Sequence, residues 1–126
     1  MALKIKPGVT FDGLSMAGAR ILEAGARASR RLGRDILVSS VTDGDRLPTD
    51  PHPLGEAVDF SIKGMTDDEI LLVYQSMSAD LLITQFTILY EVPVRPDGKL
   101  RDLAYVNPKA TGPHIHAQRK KGTTYL

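Results

Sequence analysis

All three histidines of the chain fall in two short segments. His52 lies in Thr49-Asp50-Pro51-His52-Pro53-Leu54-Gly55-Glu56-Ala57-Val58-Asp59-Phe60, and His114 and His116 lie in Gly112-Pro113-His114-Ile115-His116-Ala117-Gln118. The first segment sets a histidine and an aspartate seven positions apart, across a turn and into a short strand. Pro51, Pro53 and Gly55 disfavour a continuous helix or strand before residue 56. From Ala57 the pattern has period two, with Val58, Phe60 and Ile62 on one face and Ala57, Asp59 and Ser61 on the other. With the apolar set turned to a core, Asp59 points the opposite way, where His52 can fold back toward it. An imidazole nitrogen and a carboxylate oxygen together suit a borderline cation such as zinc. In the second segment a strand would put His114 and His116 on one face and turn Ile115 inward. His52, Asp59 and one of these two histidines then supply three protein ligands. The fourth position stays open for water, as in catalytic rather than structural zinc sites.

Composition narrows the classes of function. At 126 residues the chain has the length of one domain, residues 1–126, with room for a single core. A net charge of +1 offers no overall electrostatic case for a nucleic-acid or membrane partner. Without cysteine there is no disulfide, no thiolate metal site and no cysteine nucleophile. The sequence holds no apolar run of transmembrane length and no signal-peptide h-region near Met1, so a soluble, cytoplasmically made protein is expected.

Several elements must position these groups. Residues 1–11 read as a short extended lead-in. Asp12 to Leu32 predicts a helix whose apolar stripe is Leu14, Ala17, Ile21, Ala28 and Leu32, stopped by Gly33. Its small residues Ala17, Gly18, Ala24, Gly25 and Ala28 allow close packing on a sheet. Ile36 to Val41 predicts a buried strand. Thr42 to Gly55 is a polar, turn-rich loop that carries His52, and surface loops on a rigid scaffold commonly build sites. Thr66-Asp67-Asp68-Glu69 matches a capping box and opens a second helix with stripe Ile70, Val73, Tyr74, Met77 and Leu81. Near Thr84 the period returns to two: Phe86, Ile88 and Tyr90 on one face, Thr87, Leu89 and Glu91 on the other. Val92 to Pro113 is a long, proline-bearing loop before the His-x-His strand. The basic residues Arg119, Lys120 and Lys121 predict a solvated terminus, and Glu56 a solvated carboxylate.

The pattern His52-x-x-Gly55-x-Ala57-x-Asp59 resembles the metal motif of the zinc D-Ala-D-Ala and L-Ala-D-Glu peptidases, whose fold also occurs in Hedgehog proteins. The His-x-His segment is similar to the strand that supplies the last zinc ligand in Hedgehog and phage members. The resemblance covers roughly residues 36 to 118. It implies an α+β fold, an antiparallel sheet with helices packed on one face, and one Zn2+ per chain on His52, Asp59 and His116. It makes His114 the neighbour that polarises a substrate carbonyl. Two departures stand out. Asp50 replaces a serine common in the family, and residues 108 to 113 lack the glutamate expected just before the last histidines. Leu89-Tyr90-Glu91 has the form of the family's strand end, so Glu91 is the implied general base, with Val92 to Pro113 an enlarged hairpin loop. Arg46 is the nearest counterpart of the arginine that holds the substrate carboxylate.

The resemblance therefore implies hydrolysis of peptide bonds in peptidoglycan stem peptides, as carboxypeptidase or endopeptidase, in a phage or prophage lysis or virion-associated protein. A second reading comes from another class: a zinc-bearing binding or structural module without turnover, since Hedgehog acts chiefly through protein contacts. The position of Glu91 separates the two, because only hydrolysis needs a carboxylate beside the metal.

Overall fold

A computed structural model describes residues 1–43 and 50–121. Chain order is β1 (Leu3–Ile5), α1 (Met16–Leu32), β2 (Ile36–Ser40), β3 (Ala57–Ser61), α2 (Asp67–Asp80), β4 (Phe86–Val92), β5 (Ala104–Val106) and β6 (His114–Arg119). The strands form one sheet in the order β1-β2-β3-β6-β4-β5.

Both helices begin and end where local chemistry directs. The Ser15 side chain accepts from the Gly18 N–H at the start of α1, and Gly33, at φ 79°, closes it. At α2 the expected capping box forms: the Thr66 side chain accepts from the Glu69 N–H, and the Glu69 side chain accepts from the Thr66 N–H. The helices pack on each other, α1 also against β3 and β6, and α2 against β4. Between helices and sheet lies the core, including Ile21, Val38, Val58, Phe60, Met77 and Ile115. A Cβ at Gly25 would come within 2.4 Å of the Phe60 ring, so α1 approaches the sheet closely only because glycine stands there.

The expected antiparallel arrangement holds for the centre of the sheet alone. Strand pairs β2–β3, β3–β6 and β6–β4 are antiparallel, but β1–β2 and β4–β5 are parallel, so the sheet is mixed. Each parallel pair follows from its connection. Helix α1 carries the chain from β1 back to the start of β2, and residues 93–103 return it to the start of β5, which parallel neighbours require. The lead-in is thus a sheet strand. Val92 to Pro113 is likewise more than a loop, since Leu100 and Ala104 are buried in the core and β5 extends the sheet.

Of the C-terminal basic residues Lys120 and Lys121 are exposed as expected, whereas Arg119 and Glu56, both expected in solvent, are partly buried against each other. The Arg119 side chain, at the end of β6, pairs with Glu56, and its backbone N–H donates to the Glu56 carbonyl at 2.9 Å. Lys120 Nζ donates to the Ile83 carbonyl at 2.8 Å. No helix among the described residues is long and apolar enough to cross a membrane.

Candidate metal centre

The two adjacent central strands β3 and β6 put Asp59 opposite His116 and Phe60 opposite Ile115. Period-two alternation then sends Phe60 and Ile115 into the helix-side core and Asp59, His114 and His116 to the other face. His52 arrives from the turn before β3. Asp50 Oδ1 accepts its backbone N–H at 2.9 Å, and the Gly55 N–H closes the turn on the His52 carbonyl at 2.9 Å. That turn is seated against the start of α1: the Gly55 carbonyl accepts from both the Ser15 N–H and the Ser15 hydroxyl. Gly55 has φ 71°, and a Cβ there would lie 2.3 Å from the Gly13 carbonyl oxygen. The motif glycine is required both by backbone conformation and by close approach.

His52, Asp59 and His116 are buried and form a group able to hold a metal ion, each offering one ligand atom. The Nδ1–H of His52 donates to the Val41 carbonyl at 2.7 Å, which leaves Nε2 facing the cluster. The Nε2–H of His116 donates to Gln118 Oε1 at 2.7 Å, which leaves Nδ1 facing it. Such partners fix the ring orientation and leave a lone pair for a metal. His52 Nε2 lies 3.3 Å from His116 Nδ1 and 3.4 Å from Asp59 Oδ1. A tetrahedral ion with bonds of about 2.0–2.1 Å needs ligand atoms about 3.3–3.4 Å apart, so both distances fit. The third, His116 Nδ1 to Asp59 Oδ1, is 2.7 Å, a hydrogen-bond length. His116 and Asp59 would have to give up this hydrogen bond to hold a cation between them. The donor set and two of its three spacings fit a metal ion.

Electrostatics of the metal-free cluster follow from this packing. Burial opposes ionisation of Asp59, but hydrogen bonds and charge from His116 and His52 together outweigh it and hold the carboxyl well below its ordinary range. Burial opposes the charge of His116 too; the bond to Asp59 and its charge, with Gln118 and Glu91, together outweigh it and raise the imidazole pKa. His114 behaves likewise, lowered by burial but raised more by Glu91 and its other partners. The bond to His114 is the main reason that Glu91 sits below the usual glutamate range.

His114 Nε2 is 2.7 Å from Glu91 Oε1 and 3.7 Å from Asp59 Oδ1, and His114 Nδ1–H donates to the Gly112 carbonyl at 3.0 Å. Glu91, His52, Asp59 and His116 line a cleft of about 360 Å³, walled also by Asp50 and Tyr105. The structure thus gathers five of the six residues singled out in the sequence. Arg46 lies outside the described residues. Sequence reasoning missed Asn107, which hydrogen-bonds Glu91, and Tyr105, which stands opposite Glu91 in the β4–β5 register. Neither carried a signal, because both depend on the parallel pairing of β5. Gln118 did carry one: it lies two residues after His116 on the same strand face. Among known protein families, curated proteins and solved structures, nothing matches this chain.

Proposed function

We propose that the chain is a zinc peptidase of the D-Ala-D-Ala and L-Ala-D-Glu type, with the Hedgehog-like fold of that group, acting on peptidoglycan stem peptides. The observation that carries this reading is the Glu91–His114 pair, a carboxylate and an imidazole 2.7 Å apart beside the His52, Asp59 and His116 cluster. A site that only held metal would have no use for a second acid–base pair at its rim.

Two histidines and one carboxylate are a known ligand set of catalytic zinc. His52, Asp59 and His116 would hold Zn2+, which would supply Lewis-acid polarisation of the scissile carbonyl and a lowered pKa for water. Glu91 takes a proton from the attacking water and returns it to the leaving amine as the C–N bond breaks. The Nε2–H of His114, held by Glu91 in this structure, would pass to the oxygen on which negative charge develops once Glu91 has taken the water's proton, a contact worth about 3–4 kcal/mol in comparable sites. Asn107 and the Gly112 carbonyl hold Glu91 and His114 in place. A phage or prophage lysis protein, or a virion component, is the setting in which such an enzyme fits.

The test is incubation of the zinc-loaded protein with purified peptidoglycan, with new free amines assigned by mass spectrometry. Amine release that stops with a chelator and returns with Zn2+ is expected. Full zinc occupancy with no release from any stem peptide would replace this reading with the zinc-bearing binding module.

A further inference from the structure

Strand β5 lies in the 92–113 segment, to which the resemblance assigns no site residue. Its register with β4 sets Tyr105 beside Glu91. Glu91 is in turn paired with His114, and His114 with Ser61. Residues in register share a face, so Ser61, His114, Glu91 and Tyr105 form one row across four strands, on the side away from the helices. The next row holds Asp59, His116 and Leu89. With neighbouring strands about 4.8 Å apart, the backbone of Tyr105 stands about 10 Å from that of His114, at the end of the row away from β3.

Tyr105 is 52% exposed, although Ala104 and Val106 on either side of it pack into the helix-side core. Among the described residues its hydroxyl has no hydrogen-bond partner and its ring no aromatic neighbour. An uncommitted ring thus walls the cleft beside Glu91, with Leu89 as the other apolar surface at that end. No lysine or arginine among the described residues lines the cleft, whereas Asp50, Asp59 and Glu91 do. An anionic side chain at the β5 end would face these carboxylates. A cationic one would compete for Glu91 with His114 and Asn107, which already hold it. The group that fits against Tyr105 is therefore neutral and apolar.

We propose that Tyr105 is a specificity-determining residue, its ring packing with Leu89 against a neutral, apolar side chain on the substrate residue that carries the leaving amine; the assignment rests on the peptidase reading. Glu91 returns its proton to that amine, so the residue bearing it lies on the Glu91 flank, where Tyr105 is the next wall. The ring supplies this contact and the hydroxyl is dispensable. Because Tyr105 is exposed and sits on the last strand of the sheet, replacing it leaves the core and the three metal donors in place.

NMR titration of zinc-loaded Glu91→Gln protein tests this with blocked dipeptides, acetyl-D-Ala-X-amide, in which X is glycine, D-alanine, D-glutamate or D-lysine. The D-alanine probe should bind about 3- to 5-fold more tightly than the glycine probe, the scale of one buried methyl group, and more tightly than either charged probe. Adding Tyr105→Ala should abolish that preference with metal content unchanged, and Tyr105→Phe should keep it. Equal affinity for glycine and D-alanine, a preference untouched by Tyr105→Ala, tighter binding of a charged probe, or no binding of any probe overturns the assignment. Cleavage of the D-alanine probe by the wild-type protein is scored in parallel and reports on the peptidase reading alone. A preference that depends on Tyr105 without cleavage supports the apolar contact and removes the hydrolytic reading.

Discussion

Glu91 and His114 are direct partners in the β4–β6 pair, and their side chains meet on the open face at 2.7 Å. A glutamate at the end of one strand and a histidine at the start of the next antiparallel one are brought together by register alone. The 92–113 segment between them contributes a strand and Asn107 without disturbing that register.

If the pair performs acid–base work, Glu91→Gln should lower peptide turnover by about 100- to 10,000-fold while metal content stays near wild type. His114→Ala should also lower turnover, with a smaller effect on substrate binding, because its contact strengthens in the transition state. Steady-state kinetics with elemental analysis of each variant checks both. Unchanged turnover in Glu91→Gln would leave that residue a strand-end carboxylate.

The purified protein should carry one metal ion per chain. His52→Ala, Asp59→Ala and His116→Ala should each lose it, since each removes one of three buried donors. Gln118→Ala should weaken binding by about 10- to 100-fold by freeing the His116 ring. Competition against a chelating dye measures these affinities. Metal loss in His114→Ala with retention in His116→Ala would exchange the roles of the two histidines.

Stability of the metal-free protein should depend on pH in a defined way. His114 and His116 have pKa values raised above 6.5, so their contribution is full below 6.5 and is lost as pH rises through their folded values. Glu91 lies below its ordinary 4.5 and Asp59 below its ordinary 3.8; their contribution is full above those values and is lost as pH falls through the folded ones. The cluster should thus stabilise most between about 4.5 and 6.5. Bound metal requires unprotonated ligand nitrogens, so the Tm gap between loaded and metal-free protein should widen above that window. Thermal melts at several pH values, with and without chelator, decide it; a gap that narrows with rising pH would contradict the scheme.

Gly55→Ala should cost about 1–3 kcal/mol or more, from its left-handed φ and from the Cβ meeting the Gly13 carbonyl. Because the same turn carries His52, metal affinity should fall with stability. Chemical denaturation of metal-free and loaded protein separates the two effects. A neutral substitution would mean that the His52 turn is not seated against α1 as described.

By itself the sequence determined the two helices, the strands β2, β3, β4 and β6, and the candidate donors, but not β1 or β5. Short-range rules suffice for both: period two fixes the faces of β3, β4 and β6, the capping box starts α2, and Gly33 ends α1. The motif glycine and the clustering of every histidine in two segments pointed to His52, Asp59 and one of His114 and His116 before any contact was known, and the family resemblance chose His116. Tertiary structure alone decided the rest. Parallel pairing of β1 and β5 depends on where α1 and residues 93–103 return the chain, which no local pattern encodes. The ligand atom that each histidine presents is set by distant partners, the Val41 carbonyl for His52, or by a side chain whose rotamer the sheet imposes, Gln118 for His116.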